Sequence, residues 1–375
     1  MNKPLNSTFL DHFAWVNWLN TQLPRPKPRP DAPLVLDLFA GCGGLALGFE
    51  AAGFRTVGYE MEGPQVSTYN ANLHGRCYQK KLDVGDDFEH ADVVIGGPPC
   101  QPFSQIGYQR GRHDDRDGFP IFLDVVRRVR PKIAIIENVR GLLFRNKDYL
   151  NLNVRELKSF GYDVDYKLLN TADYGVPQKR ERVVVVASMC GFSWPDQITR
   201  VPVNVGLALG DSVLTHSAES RFLTPSMDAY IATYEAKSAC VRPRDLHLNK
   251  PARTLTCRNL GGATSDMQRI RLPNGKRRML HVREAARLQS FPDWFKFNGN
   301  TTEQMEQIGN SVAPLMSLAI ARCVMNALKA PSAAISLDLA LFQRRQNDKK
   351  SPDAEAPGLR PFAGSRTKIR SLTYL

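Results

Sequence analysis

This 375-residue chain lacks the sequence features of membrane proteins, secreted proteins and proteins stabilised by disulfides or zinc. No uncharged apolar run reaches about 18 residues, so the sequence predicts no membrane span. Met1–Asn20 lacks the basic start, apolar centre and small-residue cleavage site of a secretory signal. Seven cysteines without a CxxC pair fit neither a disulfide framework nor a zinc ribbon. The histidine spacing offers no metal site either. We therefore expect no metal and a cytoplasmic, reducing location.

The composition excludes disorder and fibres, because 42% hydrophobic and 23% charged residues are ordinary for a globular protein. The net charge of +13 is unevenly distributed. Between Asp37 and Pro99 nine acidic residues stand against four basic ones, so the positive excess lies mainly beyond Pro99. A mildly acidic first portion before a strongly basic remainder suggests two ligands of opposite charge. Nucleic acid is the natural partner of the basic part.

Apolar, β-rich runs alternate with helical patterns after the proline-rich linker Pro24–Pro33, which predicts a doubly wound α/β sheet. The candidate strands are Leu34–Phe39, Thr56–Tyr59, Val93–Ile95, Ile133–Ile136, Tyr162–Leu168 and Arg182–Ala187. The candidate helices are Gly44–Ala52, Gln65–Leu73, Ile121–Val129, Leu152–Phe160 and Val312–Leu328. A short helix containing Phe13 and Trp18 is expected before the linker.

The alternation stops after Ser188, which predicts a second, smaller domain. We therefore expect an N-terminal extension with its linker (1–33), a large domain (34–189), a smaller one (190–282), a return to the large domain (283–330) and a tail (331–375).

A glycine-rich turn joins the first predicted strand to the first helix. The strand contains Asp37, the turn contains Gly41 and Gly43, and the next strand ends in Glu60. Glycines let a ligand approach the backbone, and a carboxylate at this second position holds a ribose in nucleotide-binding folds. The turn alone does not separate a dinucleotide, S-adenosylmethionine or no ligand, although acidic surroundings favour the cationic sulfonium.

Three further segments place reactive side chains beside strands. Cys100, in GGPPCQPFSQ, follows two prolines at the carboxyl edge of the sheet, where such sheets bind ligands. As a nucleophile it needs thiolate stabilisation, because an ordinary cysteine has a pKa of about 8.5. Glu137 and Asn138 end an apolar strand, and Arg180 and Arg182 share one side of the extended segment QKRER. A packing cysteine, a structural salt bridge and a solvated charge run are the ordinary alternatives.

In this order, the four segments resemble the blocks of the DNA (cytosine-5)-methyltransferase family of bacterial restriction-modification type. Three further blocks agree, namely Gly107–Asp124 with the mobile catalytic loop, Arg283–Trp294 with the ninth block and Gly309–Val312 with the last. The resemblance covers about Leu34 to Leu328. It implies a Rossmann-like S-adenosylmethionine-dependent methyltransferase domain at 34–189 and a target-recognition domain at 190–282.

The resemblance also implies the reaction, in which a methyl group passes from S-adenosylmethionine to carbon 5 of a flipped-out cytosine in double-stranded DNA. Cys100 would add to C6 of the base, Glu137 would hold or protonate N3, and Arg180 and Arg182 would stabilise the developing charge. The implied cofactor residues are Phe39, Gly41, Gly43, Glu60, Met61, Asp83, Pro99, Asn310 and Val312. The implied DNA-binding residues are Ser104, Gln105, Arg116 and Thr254. Met61 departs from the aromatic residue often found at its position.

Double-stranded DNA is the expected partner, and a restriction endonuclease recognising the same sequence is expected without direct contact. A tRNA cytosine-5 methyltransferase is the nearest alternative, but the expected Cys-Phe-Thr segment is missing. A solitary regulatory methylase, a non-catalytic DNA-binding regulator and a nicotinamide dehydrogenase are the others. The sequence leaves open the recognition sequence, the base that removes the C5 proton and the oligomeric state.

Overall fold

A seven-stranded sheet organises the computed structural model of this chain, which describes residues 11–99, 117–237, 244–261 and 266–330. Its strands lie in the order β3-β2-β1-β4-β5-β7-β6. Strands β1 to β5 are parallel, and β7 is antiparallel to both β5 and β6. The bounds are β1 (Leu34–Leu38), β2 (Arg55–Glu60), β3 (Arg76–Gln79), β4 (Val93–Gly96), β5 (Ile133–Val139), β6 (Asp163–Asn170) and β7 (Glu181–Ser188).

Twelve α-helices and a second, two-stranded sheet complete the described part of the chain. The helices are α1 (His12–Gln22), α2 (Gly44–Ala51), α3 (Gly63–Asn72), α4 (Phe119–Val129), α5 (Gly141–Phe144), α6 (Lys147–Ser159), α7 (Val205–Leu209), α8 (Pro225–Lys237), α9 (Cys257–Gly261), α10 (Val282–Leu288), α11 (Thr301–Asn310) and α12 (Pro314–Lys329). Short 3₁₀ turns occupy Thr171–Tyr174 and Gly210–Leu214. The second sheet pairs β8 (Arg269–Arg271) with β9 (Arg277–Met279).

Separate apolar cores cover the two faces of the large sheet. Val35 points to the core that includes α2 and α12, whereas Leu36 and Leu38 point to the core that includes α4 and α6. Successive strand residues alternate between faces, so a sheet buried on both sides requires nearly continuous apolar strands. The predicted doubly wound α/β fold is confirmed. Because the strand order reverses between β1 and β4, a ligand crevice is expected at their carboxyl ends.

The structure adds elements that the sequence pattern did not predict. Strand β3 has the sequence RCYQ and buries only Cys77, so this edge strand lacks an apolar pattern. Strand β5 continues beyond Ile136 to Val139 because it pairs with β7 along its full length. Helices α10 and α11 each begin with a capping box, at His281 and Asn300. The expected N-terminal helix is present as α1.

The chain divides into the units Met1–Ala330 and Pro331–Leu375, and the second lies outside the described residues. The finer division at 189 and 282 stays a prediction. Among the described helices, none alone has the length and apolar composition of a membrane span. Helices α11 and α12 meet both criteria only when they are taken together, and the chain bends by 41° between them. The described residues contain no group of three or more metal-ligating side chains.

Candidate active site

A cavity of about 310 Å³ lies at the carboxyl ends of the parallel strands, where the reversal of strand order predicts one. The strands, the loops that follow them and the connection between α11 and α12 bring eight of the predicted site residues to its wall. These are Phe39, Gly41, Glu60, Met61, Pro99, Glu137, Asn310 and Val312. The glycine-rich turn and the connection between α11 and α12 therefore form parts of one cavity, although they are far apart in sequence.

Glu60 is fixed by three backbone amides at the end of β2. Its Oε2 accepts from Gly41 N at 2.9 Å, and its Oε1 accepts from Met61 N at 2.8 Å and Glu62 N at 3.0 Å. Gly41 has a φ of 55°, a left-handed conformation that glycine adopts without steric cost. Because an ionised carboxylate offers about four acceptor positions, Glu60 retains capacity for a further donor, such as a ligand hydroxyl.

Asp37 is the most unusual acid at the site. It lies on β1, lines the cavity and is 1% exposed, and its Oδ2 has no hydrogen-bond partner in the described part of the chain. Burial, and then the nearby charge of Glu60, raise the pKa of Asp37 well above its ordinary value. A buried carboxylate of this kind is stabilised by a cationic partner. The sequence places Asp37 beside the glycine-rich turn but indicates no role for it.

Glu137 and Arg182 form an ion pair, with Glu137 Oε1 2.9 Å from Arg182 Nε. Antiparallel pairing of β5 with β7 sets Val139 opposite Arg182 and so brings the two distant segments together. Both side chains are only 12% exposed, and burial lowers the pKa of Arg182 although the charge of Glu137 opposes this. The cavity wall thus contains an acid whose position is fixed by a largely buried cation.

Arg180 is directed to backbone carbonyls. Its Nη1 donates to Leu255 O at 2.5 Å and its Nη2 donates to Ser311 O at 3.1 Å. Burial, and then the charge of Arg182, lower its pKa to about 9. Arg180 therefore links the segment before α9 to the α11–α12 connection. Its predicted contact with a base stays a prediction.

Three further predicted residues, like Arg180 and Arg182, do not line the cavity. Asp83 accepts from Val84 N at 2.7 Å and does not line the cavity, whereas its neighbour Leu82 does. Gly43 caps α2, and a Cβ there would lie 2.5 Å from a methyl group of Leu73, which indicates a packing role. Thr254 is half-buried and donates to the carbonyl of Lys179 at 2.9 Å.

Four predicted residues, and most of the predicted mobile loop, fall in 100–116, outside the described residues. They are Cys100, Ser104, Gln105 and Arg116. Their assigned roles stay predictions.

The contacts of three positioning residues do not follow from the sequence. Asn138 Nδ2 donates to Pro98 O at 2.9 Å, so it holds the loop that leads to Cys100. Gln178 accepts from Leu255 N at 2.8 Å, and Gln289 donates to Ser311 O at 2.6 Å. The neighbouring motifs indicated Asn138 and Gln178, but only the folded chain shows what they bind.

Comparison with known proteins identifies relatives over most of the chain. The family model described as C-5 cytosine-specific DNA methylase matches residues 34–205 and 225–326. The type II methyltransferase M.AplI of Arthrospira platensis is 56% identical over 321 residues, covering 85% of this chain and 93% of that protein. The type II methyltransferase M.NgoMIV of Neisseria gonorrhoeae is 34% identical over 310 residues, covering 78% and 97%.

Solved structures agree on the fold. A putative DNA modification methyltransferase encoded within an Escherichia coli prophage has a TM-score of 0.60 at 23% identity, and the match covers 80% of this chain and all of that one. The Entamoeba histolytica methyltransferase EhMeth has a TM-score of 0.59 at 17% identity, covering 80% of this chain and all of that one. At these identities the likeness concerns the arrangement of helices and strands.

Proposed function

The chain belongs to the C-5 cytosine-specific DNA methylase family, and from this premise we propose that it methylates carbon 5 of a flipped-out cytosine in a specific double-stranded DNA sequence. Names of its relatives support a role in a restriction-modification system. The observation that carries the proposal is that Glu137, paired with Arg182, lines the same cavity as Glu60 and Asp37. In this proposal the acid that holds the base, Glu137, and the acid that binds the ribose, Glu60, lie in one site.

The described residues fit S-adenosylmethionine, which contains a ribose, an adenine and a cationic methionine moiety. Glu60 has acceptor capacity for a ribose hydroxyl, and Met61 supplies an apolar wall for adenine. Asp37 carries the buried, unpartnered oxygen that a cationic group would stabilise. Asn310 and Val312 line the same cavity and are proposed to contact the methionine end. When bound, S-adenosylmethionine supplies an electrophilic methyl group to the activated C5.

Cys100 carries the covalent step in this proposal. Cytosine C5 is a poor nucleophile, because the ring is electron-poor and aromatic. The Cys100 thiolate adds to C6, forming a carbon–sulfur bond and moving the electron pair of the C5–C6 double bond toward C5. After C5 is methylated, it loses its proton and the thiolate leaves C6, which restores the ring.

Glu137 and Arg182 act on the base while the thiolate adds. A proton on the Glu137 carboxyl transfers to or is shared with N3, which withdraws electron density from C6. Arg182 then stabilises the carboxylate and charge developing on the base oxygen, as positioned cations do at other sites. Because Glu137 is only 12% exposed, a base must leave the double helix to reach it.

The test uses the full-length chain, labelled S-adenosylmethionine, unmethylated DNA and bulk tRNA, followed by mapping at base resolution. We expect label on cytosine C5 in one short DNA sequence, and none with Cys100→Ser. Cys190→Ser is the matched control, because Cys190 follows Ser188, which pairs with Ile133 at the opposite edge of the sheet. Label on tRNA alone, or on neither, would refute the proposal.

A second measurement tests the covalent step separately. DNA with 5-fluorocytosine at the target has no C5 proton to lose, so the adduct to Cys100 is expected to persist. A denaturation-resistant protein–DNA complex with the wild type and the Cys190→Ser variant, and none with Cys100→Ser, is the expected result. Methylation without such a complex would argue against the adduct.

A further inference from the structure

One carboxylate in the region 190–282 binds three arginines. Asp245 Oδ1 accepts from Arg269 Nε at 2.5 Å, and its Oδ2 accepts from Arg271 Nε at 2.8 Å and Arg277 Nε at 3.2 Å. The Asp245 side chain is 10% exposed. All three arginines lie on the hairpin β8–β9, where Arg271 is directly opposite Arg277. Asp245 therefore holds these three arginines in place, each through its Nε atom.

The three guanidinium groups differ in what their terminal nitrogens do. Arg269 is fully buried, and its Nη2 donates to Glu235 at 2.8 Å. Arg277 is 12% exposed, and its Nη1 donates to Asp228 at 2.9 Å. Arg271 is 50% exposed, and only its Nε has a partner in the described residues. Arg271 is thus the member of the set that presents two terminal amino groups to solvent.

The surroundings of Arg271 favour a nucleic-acid ligand. The turn that follows it, Pro273–Lys276, is exposed throughout and adds the cation of Lys276. A two-stranded ribbon has the size to enter the major groove of DNA, which is about 12 Å wide. The exposed end of this hairpin therefore combines suitable shape, positive charge and free donors.

The bond between Arg271 Nε and Asp245 favours recognition of a base over binding of a phosphate. A phosphate contact needs positive charge, which a mobile lysine supplies equally well. With Nε fixed by Asp245, the two terminal amino groups of Arg271 form a rigid fork, and less rotamer freedom is lost on binding. Such a fork matches the O6 and N7 acceptors that guanine presents in the major groove.

We propose that Arg271 recognises a guanine of the target DNA sequence and that Asp245 is its positioning residue. The inference rests on the proposed DNA methylation and assigns part of its sequence specificity. It concerns residues outside the cavity, so it is testable without altering the methyl-transfer site.

The test compares the wild type with Arg271→Lys, which keeps the charge but loses the fork. Both proteins methylate a pool of randomised DNA, and the methylated sites are sequenced. We expect Arg271→Lys to lose roughly 10- to 100-fold of its discrimination at one G·C pair and to keep it at the others. Lys276→Gln, which removes a charge from the same turn, is the control and should leave the sequence preference unchanged.

Asp245→Asn tests the positioning role, and it should relax the same base pair as Arg271→Lys. Cofactor binding and the melting temperature of each variant show that it is folded, and Arg271→Gln provides a second substitution at the exposed position. An unchanged preference with Arg271→Lys and Arg271→Gln, or equal weakening on every sequence, would overturn the proposal. Absence of methylation by the wild type would instead refute the proposed function.

Discussion

A close contact between α2 and α12, two helices next to the cavity, predicts the effect of adding a single methyl group. Gly48 lies in α2, facing α12, and a Cβ at this position would be 2.4 Å from the backbone nitrogen of Leu318 and 2.4 Å from Ser317 Oγ. Ser317 Oγ also donates to the carbonyl of Leu45 at 2.5 Å, which links the same helices. In Gly48→Ala the helices must therefore separate, because the backbone nitrogen cannot rotate away.

Two opposing effects determine how much Gly48→Ala changes the free energy of unfolding. Alanine is favoured over glycine inside a helix by about 1 kcal/mol, so Gly48→Ala would stabilise the protein if space were available. Overpacking in a filled core costs about 1–3 kcal/mol, and contact with backbone favours the upper end. We expect a net loss of about 2 kcal/mol, which for a chain of this size lowers the melting temperature by roughly 3 °C.

The same displacement should affect the site. Helix α2 follows the glycine-rich turn, and α12 follows Asn310–Val312, so the contact at Gly48 sets the distance between two walls of the cavity. We expect a several-fold higher KM for S-adenosylmethionine with a smaller change in kcat.

Thermal unfolding and steady-state methylation measure the two effects. Gly141→Ala is the control, since a Cβ at this helix start would have no neighbour closer than 4.0 Å. It should be neutral or slightly stabilising. Equal stability of Gly48→Ala and Gly141→Ala would refute the reasoning.

Further substitutions test other contacts. Asp37→Asn should stabilise the cofactor-free protein at pH 7, because the raised pKa of Asp37 means that stability is lost as pH rises from the ordinary aspartate pKa toward the raised one. It should also weaken cofactor binding about tenfold or more, measurable by calorimetry; unchanged affinity would exclude the cation contact. Asn138→Ala, which removes the bond to Pro98, should lower kcat at least tenfold with little change in cofactor affinity; an unchanged kcat would contradict this. Trp15→Ala should cost about 3 kcal/mol of unfolding free energy in denaturant titration, since Trp15 is fully buried, and a loss below about 1 kcal/mol would be inconsistent with that packing.

The sequence predicts best the site residues that end strands. Glu60 and Glu137 reach the cavity because the carboxyl ends of parallel strands lie at one edge, and this follows from local pattern alone. The order of the strands does not follow from local pattern, and neither does the antiparallel pairing that joins Glu137 to Arg182. Asp83 shows the converse, because its short side chain binds the adjacent backbone instead of the cavity.

Contacts between distant segments were the least predictable. Gln178 donates to the side chain of Gln289, although the two residues lie in different predicted regions. From the local sequence alone, a glutamine at either position is equally compatible with an exposed side chain. Their pairing depends on how 283–330 returns to the sheet, which no local periodicity specifies. Likewise, nothing before residue 34 indicates that Trp294 Nε1 donates to the carbonyl of Leu23 at 2.8 Å.

Two segments of the chain that the family model leaves unmatched contact each other. The match omits residues before 34, residues 206–224 and residues after 326, and the contact joins the first two of these. The first segment contains α1, whose His12 Nδ1 lies 2.9 Å from the carbonyl of Leu207, and Gly210 packs against the His12 ring. Helix α1 also buries Trp15 and Leu19 in the core that contains Leu209. Each segment covers apolar surface of the other, so neither is expected to be stable alone. The two additions are therefore best understood as one structural unit attached to the family's fold.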